Sequence, residues 1–175
     1  VANTIGALKD ANGNKKAQVY GGSAINENEI EFNTHLDFID RELLQKEDIQ
    51  SLIIDIAKEF LSSPYQWGGR TLSGIDCSGL TQIVFKISGL KLWRDASQQS
   101  EQGKTINLLM GAEKADLAFF DNEEGNIIHV GILLGNGKII HASGNVREDA
   151  IDHQGIFNRE LNRYTHKLRL IKRII

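Results

Sequence analysis

At 175 residues, with 41% hydrophobic and 25% charged, the chain is long enough for one well-buried domain of ordinary globular composition and a small appendage. A net charge of -3 gives no basic excess for nucleic acid or an anionic membrane, and no apolar run approaches the roughly 20 residues of a bilayer span, so neither partner nor any membrane-spanning segment is expected. A single cysteine, Cys77, cannot form a disulfide within the chain, which leaves the redox compartment open.

Residues 1–47 carry a turn signal at DANGNKK, a short alternating run at AQVYGG and polar NENE before EIEF. These predict short strands with too little apolar surface for a core of their own, a β-rich extension on a main domain of residues 48–175. From Asp48 the pattern is helical: Leu52, Ile53, Ile56, Ala57 and Phe60 share one face, with Asp48 as N-cap and Pro64 beyond the end. SPYQWGG follows, and then a second helix in which Leu80, Ile83, Val84 and Ile87 repeat at helical spacing and Gly89 suits the C-terminal stop. After polar SQQSEQGK come three apolar runs, DLAFF, IIHVGILL and KIIHAS. GNG separates the last two, a hairpin signal, and LRLIKRII supplies a further strand. Helices first and strands afterwards predict an α+β fold rather than alternating βαβ units.

Cys77 lies one turn before the apolar stripe of the second helix. Packing alone would suit a cysteine at any core position. The start of a helix differs, because unpaired N–H groups and the positive end of the macrodipole favour an anion and make a thiol easier to ionise. A thiol nucleophile also needs a base within hydrogen-bond reach and a third polar group to orient that base. Of five histidines, His129 and His141 lie inside the apolar hairpin, while His35, His153 and His166 sit among polar residues. Cys77, His129 and His141 therefore form a candidate nucleophile, base and orienting residue. Two rivals stand beside this: a zinc site of the same three residues, although nothing resembles CxxC or HExxH, and a core cysteine in a binding protein.

The hairpin sets a geometric condition, because strand side chains alternate faces. A three-residue loop of Gly135, Asn136 and Gly137 places Leu134 opposite Lys138, His129 opposite Ser143 and His141 opposite Gly131. The histidines are then diagonal neighbours on one face, about 7 to 8 Å apart between the two strand backbones. A two-residue Asn136-Gly137 turn puts them on opposite faces, so the triad requires the longer loop or a bulge.

SPYQWGG, DCSGL, RDASQQSEQGK, ADLAFF and HVGILLGNGKIIHAS follow one another in an order that resembles the NlpC family of bacterial cell-wall cysteine peptidases, over about residues 48–145. The resemblance implies a papain-like fold, with the cysteine at a helix N-terminus packed against a sheet that carries the histidines. It implies cleavage of peptidoglycan stem peptides between D-γ-glutamate and a diamino acid, diaminopimelate above all, by a monomer that needs no metal or organic cofactor. It carries over the nucleophile Cys77, the base His129 and the orienting His141, and it lines the substrate pocket with Tyr65, Asp76, Ser78 and Arg94. Each pocket residue also has a plain structural reading: Asp76 as helix cap, Ser78 as first-turn filler, Arg94 as surface charge, Tyr65 as core aromatic. Trp67 and Gly68-Gly69 are expected to pack and bend the chain beneath the site. KADLAFF departs from the PGD form of the family, which puts the turn before that strand in question. The N-terminal region resembles part of a bacterial SH3-like module. Location follows the substrate: export to the wall is the expectation, with cytoplasmic recycling as the alternative. Alternatives to hydrolysis are an acyltransferase that uses the same thioester and a wall-binding module that no longer turns over.

Overall fold

The computed structural model describes residues 5–9, 15–20 and 46–175. Strands β1 (Ile5–Lys9) and β2 (Lys15–Tyr20) pair antiparallel, with Ile5 opposite Tyr20. They are the described part of the expected β-rich extension. The other residues before 46, and with them the SH3-like resemblance, lie outside the described residues.

Helix α1 (Lys46–Glu59) begins two residues before the expected cap, so Asp48 lies in its first turn. Ile53, Ile56, Ala57 and Phe60 are buried as the periodicity predicts. A two-strand ribbon, β3 (Arg70–Thr71) with β4 (Gly74–Ile75), leads into α2 (Cys77–Ile87). Asp76 caps α2, its apolar stripe is buried, and Gly89 follows at φ 78, the left-handed conformation of a helix stop. A single-turn helix, α3 (Ala96–Gln99), packs against α2.

Seven strands follow: β5 (Lys104–Ile106), β6 (Leu117–Asp121), β7 (Ile127–Gly135), β8 (Lys138–Ser143), β9 (Asn145–Ile151), β10 (Gly155–Asn158) and β11 (Arg163–Arg173). Their order is β10-β9-β8-β7-β6-β11-β5, and β10 also pairs with β11. Six strands thus close into a small antiparallel barrel. The long β11 shares its second edge, giving its N-terminal half to β10 and its C-terminal end to β5. The outer face of β6, β7 and β8, with Leu117, Phe119, Val130, Ile132, Ile140 and Ala142, packs on α1 and α2. The inner face closes on Ala118, Phe120, Leu133, Ile139, Ile151 and Ile156.

The β7–β8 hairpin corrects the expected loop and keeps its consequence. Gly135, not Leu134, pairs with Lys138, across a two-residue turn whose Asn136 (φ 51) and Gly137 (φ 69) both take the positive φ of a type I′ turn. A bulge between Leu133 and Gly135 restores the parity, so His141 lies opposite Gly131 as expected. Before β6 the turn survives without the PGD glycine, because Ala115 itself adopts φ 68 and its N–H donates to the Leu133 carbonyl at 2.8 Å.

Candidate active site

Gly79 lets the N-terminus of α2 approach the preceding loop. A Cβ at that position would lie 2.3 Å from the Gly69 carbonyl oxygen. The approach satisfies the cap: Asp76 accepts from the Gly79 N–H at 2.6 Å and from the Gly68 N–H at 2.7 Å. Arg94 grips the same carboxylate with two nitrogens, at 3.0 and 2.6 Å, and donates to Ser78 Oγ at 2.8 Å. Burial would raise the Asp76 pKa, but the Arg94 hydrogen bonds and the two N–H groups outweigh it and hold the carboxyl below its usual range. Asp76 is therefore a cap and an ion-pair partner together. Arg94 is half-buried rather than a loose surface charge. Tyr65 is 37% exposed and lies close enough to Cys77, Asp76 and Arg94 for their charges to act on its phenol, so it belongs to the rim and not to the core. Trp67, 85% exposed, does not pack beneath the site, whereas Gly68 does bend the chain, at φ 79.

The ladder between β7 and β8 ends at Gly131 and His141. Beyond it β8 stays with β9, so Ser143 pairs with Asn145 and not, as the ideal hairpin predicts, with His129. The loop before the site bonds to the start of β9 and the turn before it: Ser62 N–H donates to Val146 O, Val146 N–H to Ser63 O and Tyr65 N–H to Gly144 O. Splaying also frees the Val130 N–H, which donates to the Cys77 sulfur. The thiol of the helix thus meets the sheet at the residue after His129. Burial is the main reason the Cys77 pKa rises, and Asp76 adds to it; the N–H groups of Val130, Ser78 and Cys77 pull the other way without prevailing. The easily ionised thiol expected from the helix start is thus corrected to a neutral one.

His129 and His141 share the inner face of the barrel, with His129 Nε2 at 2.8 Å from His141 Nδ1. His141 Nε2 lies 3.1 Å from Asp149 Oδ2, and Arg147 holds both oxygens of that carboxylate, at 2.7 and 3.1 Å. Burial opposes the charge on Asp149, but the bonds from His141 and Arg147 keep it ionised, its pKa lowered. An ionised carboxylate can only accept, which assigns the proton of each ring. His141 donates from Nε2 to Asp149, its Nδ1 accepts from His129 Nε2–H, and His129 Nδ1 is left as a lone pair. Burial, with His166 and His141 nearby, keeps His129 neutral far below the usual histidine pKa.

Asp149 and His166 escaped the sequence reading. The register that puts His141 opposite Arg147 and Ile139 opposite Asp149 brings the carboxylate to the histidines, but NVREDAI reads as a polar segment with no motif. His166, set aside as a polar-region histidine, stacks on His129 with ring centroids 4.1 Å apart and planes 24° apart. One ring nitrogen from each of His129, His141 and His166 lies within 4.8 Å of the other two. Zinc needs nitrogens about 2.0 to 2.1 Å away and aimed at one point. Two of these are tied by a hydrogen bond and the stacked rings send their lone pairs along nearly parallel planes, so the cluster as it stands is poorly built for a metal. Cys77, which the sequence grouped with His129 and His141 as a rival zinc site, is not one of the three residues of this cluster.

A sequence profile of the NlpC/P60 family matches residues 62–165, more than half of the chain. The chain belongs to the NlpC/P60 family. Its relatives include a γ-D-glutamyl-L-lysine dipeptidyl-peptidase of Bacillus subtilis (strain 168), 42% identical over 92 residues, which are 51% of this chain and 31% of that protein. The chain thus spans less than a third of that relative's length. Among solved structures, the NlpC/p60 domain of the peptidoglycan hydrolase SagA is 32% identical over 58% of this chain and 88% of its own, with a TM-score of 0.53. An NlpC/P60 family protein from Bacillus cereus ATCC 10987 shares the fold over 99% of this chain and 62% of its own, with a TM-score of 0.69 and 23% identity. The family is one of peptidoglycan hydrolases, and the expected α+β architecture holds, with the sheet closed further into a barrel than the hairpin pattern implied. Among the described residues no helix is long and apolar enough to cross a membrane.

Proposed function

We propose that the protein is a cysteine endopeptidase that hydrolyses peptidoglycan stem peptides between D-γ-glutamate and a diamino acid, diaminopimelate above all, with Cys77 as nucleophile, His129 as base and His141 as the residue that orients it. The hydrogen-bonded series Asp149, His141, His129 carries this reading, because it leaves one lone pair, on His129 Nδ1, at the strand position next to the thiol. With the thiol and imidazole both neutral at rest, the proton moves during attack. His129 Nδ1 takes the Cys77 proton as the sulfur bonds to the amide carbon, and the carbonyl electrons move to oxygen. The Cys77 N–H and the Tyr65 hydroxyl hold that oxyanion. Its collapse breaks the C–N bond, and His129 returns the proton to the leaving amine. Water, deprotonated by the same nitrogen, then cleaves the thioester to the acid and the free thiol.

The substrate end rests on Asp76, Ser78 and Arg94. Gly68, Gly79, the two Arg94 nitrogens and, more weakly at 3.4 Å, the Ser78 hydroxyl already occupy the lone pairs of Asp76. A stem peptide with a free L-Ala amine and the α-carboxylate of D-Glu brings both charges needed to exchange with that pair: its carboxylate draws Arg94, and its amine takes the sites released on Asp76. Similarity to a γ-D-glutamyl-L-lysine dipeptidyl-peptidase supports this bond and this end of the substrate.

Mass spectrometry of products from L-Ala-γ-D-Glu-diaminopimelate, its L-lysine counterpart and their N-acetylated forms tests the reading. Cleavage after D-Glu is expected, abolished in Cys77→Ser and slowed at least about tenfold by N-acetylation, since a charge-assisted bond contributes about 1.5 to 3 kcal/mol. Equal kcat/KM for free and acetylated peptides ends the amine assignment. A cut elsewhere ends the bond assignment, and binding without turnover leaves a wall-binding module. Transfer to an amine instead of water identifies an acyltransferase.

A further inference from the structure

His166 takes no part in these steps, yet among the described residues its ring lies nearest to that of the base. It stands on β11 opposite Ile156 of β10, with Thr165 Oγ1 2.9 Å from its Nδ1. Phe120 of β6 meets both rings, at 5.9 Å from His166 and 5.7 Å from His129. A hydrogen bond at Nε2 restrains rotation of the His129 ring about Cβ–Cγ only softly, because bond strength changes little until the angle falls far from linear. A partial rotation would turn Nδ1 aside while keeping that bond, and a half-turn would exchange both ring nitrogens for carbons and break it. The imidazole packed against its face blocks this rotation sterically.

We propose that His166 is a positioning residue, whose stacked ring holds the plane of His129 and so fixes the direction of its free Nδ1 while Nε2 donates to His141. The aromatic face is what serves, not the ionisable nitrogen. This rests on the reading of His129 as the base. The charges that bear on His166 are His129 from β7, His141 from β8 and Asp149 from β9; Phe120 is uncharged. Burial first and His141 second bring its pKa down to about 4, against the pull of Asp149, so the ring is neutral wherever the base works. A hydrocarbon ring of similar size should then replace it.

The experiment compares His166→Phe, His166→Ala and His166→Gln. Expected is activity within about threefold of wild type for Phe, and for Ala and Gln a kcat lower by about 10- to 100-fold with KM little changed, the loss typical of a misplaced catalytic group. The acid limb of kcat/KM should also move up in His166→Ala, because water then reaches His129. Independently of activity, imidazole ¹⁵N shifts in a Cys77→Ser background should show one His129 tautomer, unprotonated at Nδ1, with His166 or Phe in place, and mixed tautomers with Ala. Overturning results are a folded His166→Phe as impaired as His166→Ala, or a His166→Ala with unchanged kcat, pH profile and tautomer. An active His129→Ala would instead remove the base assignment, and the tautomer comparison would still decide whether His166 holds the ring.

Discussion

Cys77 shows how one atom's surroundings can reverse a local rule. The first turn of a helix favours a thiolate, but the same residue is buried beside the Asp76 carboxylate, and desolvation prevails. Alkylation by iodoacetamide should therefore rise with pH around a midpoint above the ordinary thiol range, and a plateau already reached at neutral pH would contradict a neutral resting pair. Asp149 is the complementary case, a carboxylate whose value lies in what it imposes on two rings. Its replacement by Ala leaves His141 without its acceptor and Arg147 with Glu160 alone, so stability should fall by about 2 kcal/mol and kcat by about 10- to 100-fold. Asp149→Asn, which can still accept from His141, should recover part of the activity. Equal kcat in Asp149→Ala and wild type would show that His141 keeps its tautomer unaided.

At the level of elements, the site exists because two of them depart from ideal geometry. β8 leaves β7 after His141, and α2 comes closer to its preceding loop than any side chain at position 79 allows. In an ordinary helix Gly→Ala gains roughly 0.5 to 1 kcal/mol. At Gly79 the added methyl would meet the Gly69 carbonyl at 2.3 Å and Asp76 Oδ1 at 2.8 Å. Gly79→Ala should instead destabilise by about 1 to 3 kcal/mol, the usual effect of overpacking, and lower activity by shifting Cys77 and its cap together. A thermal melt decides the sign: an unchanged or higher Tm would mean that the loop yields without strain.

For the whole molecule, the barrel interior carries a pH dependence. His129 and His166 are both held below the usual histidine value, so between the unfolded value of 6.5 and about 4 the unfolded chain binds more protons than the folded one. Stability should be highest above 6.5 and fall as pH drops through that window. Asp76 and Asp149, with lowered pKa values, keep their contribution until pH falls below the unfolded carboxylate value, so they add loss only at the acid end. Denaturant midpoints from pH 8 to 4 should show the decline beginning near 6.5, and His166→Phe should reduce its slope. A flat profile down to 4.5 would mean that the buried rings accept protons in the fold.

Much of this was legible locally. The apolar stripes of α1 and α2, the Asp76 cap, the Gly89 stop, the runs that became β6, β7, β8 and β11, and the shared face of His129 and His141 all follow from short-range periodicity and chain order, because helix and strand spacing are properties of neighbouring residues. The starts of elements were less certain, as Asp48 shows, since a first-turn carboxylate and a cap look alike in sequence. Strands β9 and β10 were missed because their outward residues are polar and their inward ones pair across the barrel. The Leu134 bulge, the splay that opens Val130 to the thiol, the four partners of Asp76, the burial that raises Cys77, and the arrival of Asp149 and His166 at the same histidines were decided only by tertiary structure. Each depends on which strands become neighbours when the barrel closes, and residues tens of positions apart carry no local signal of that contact.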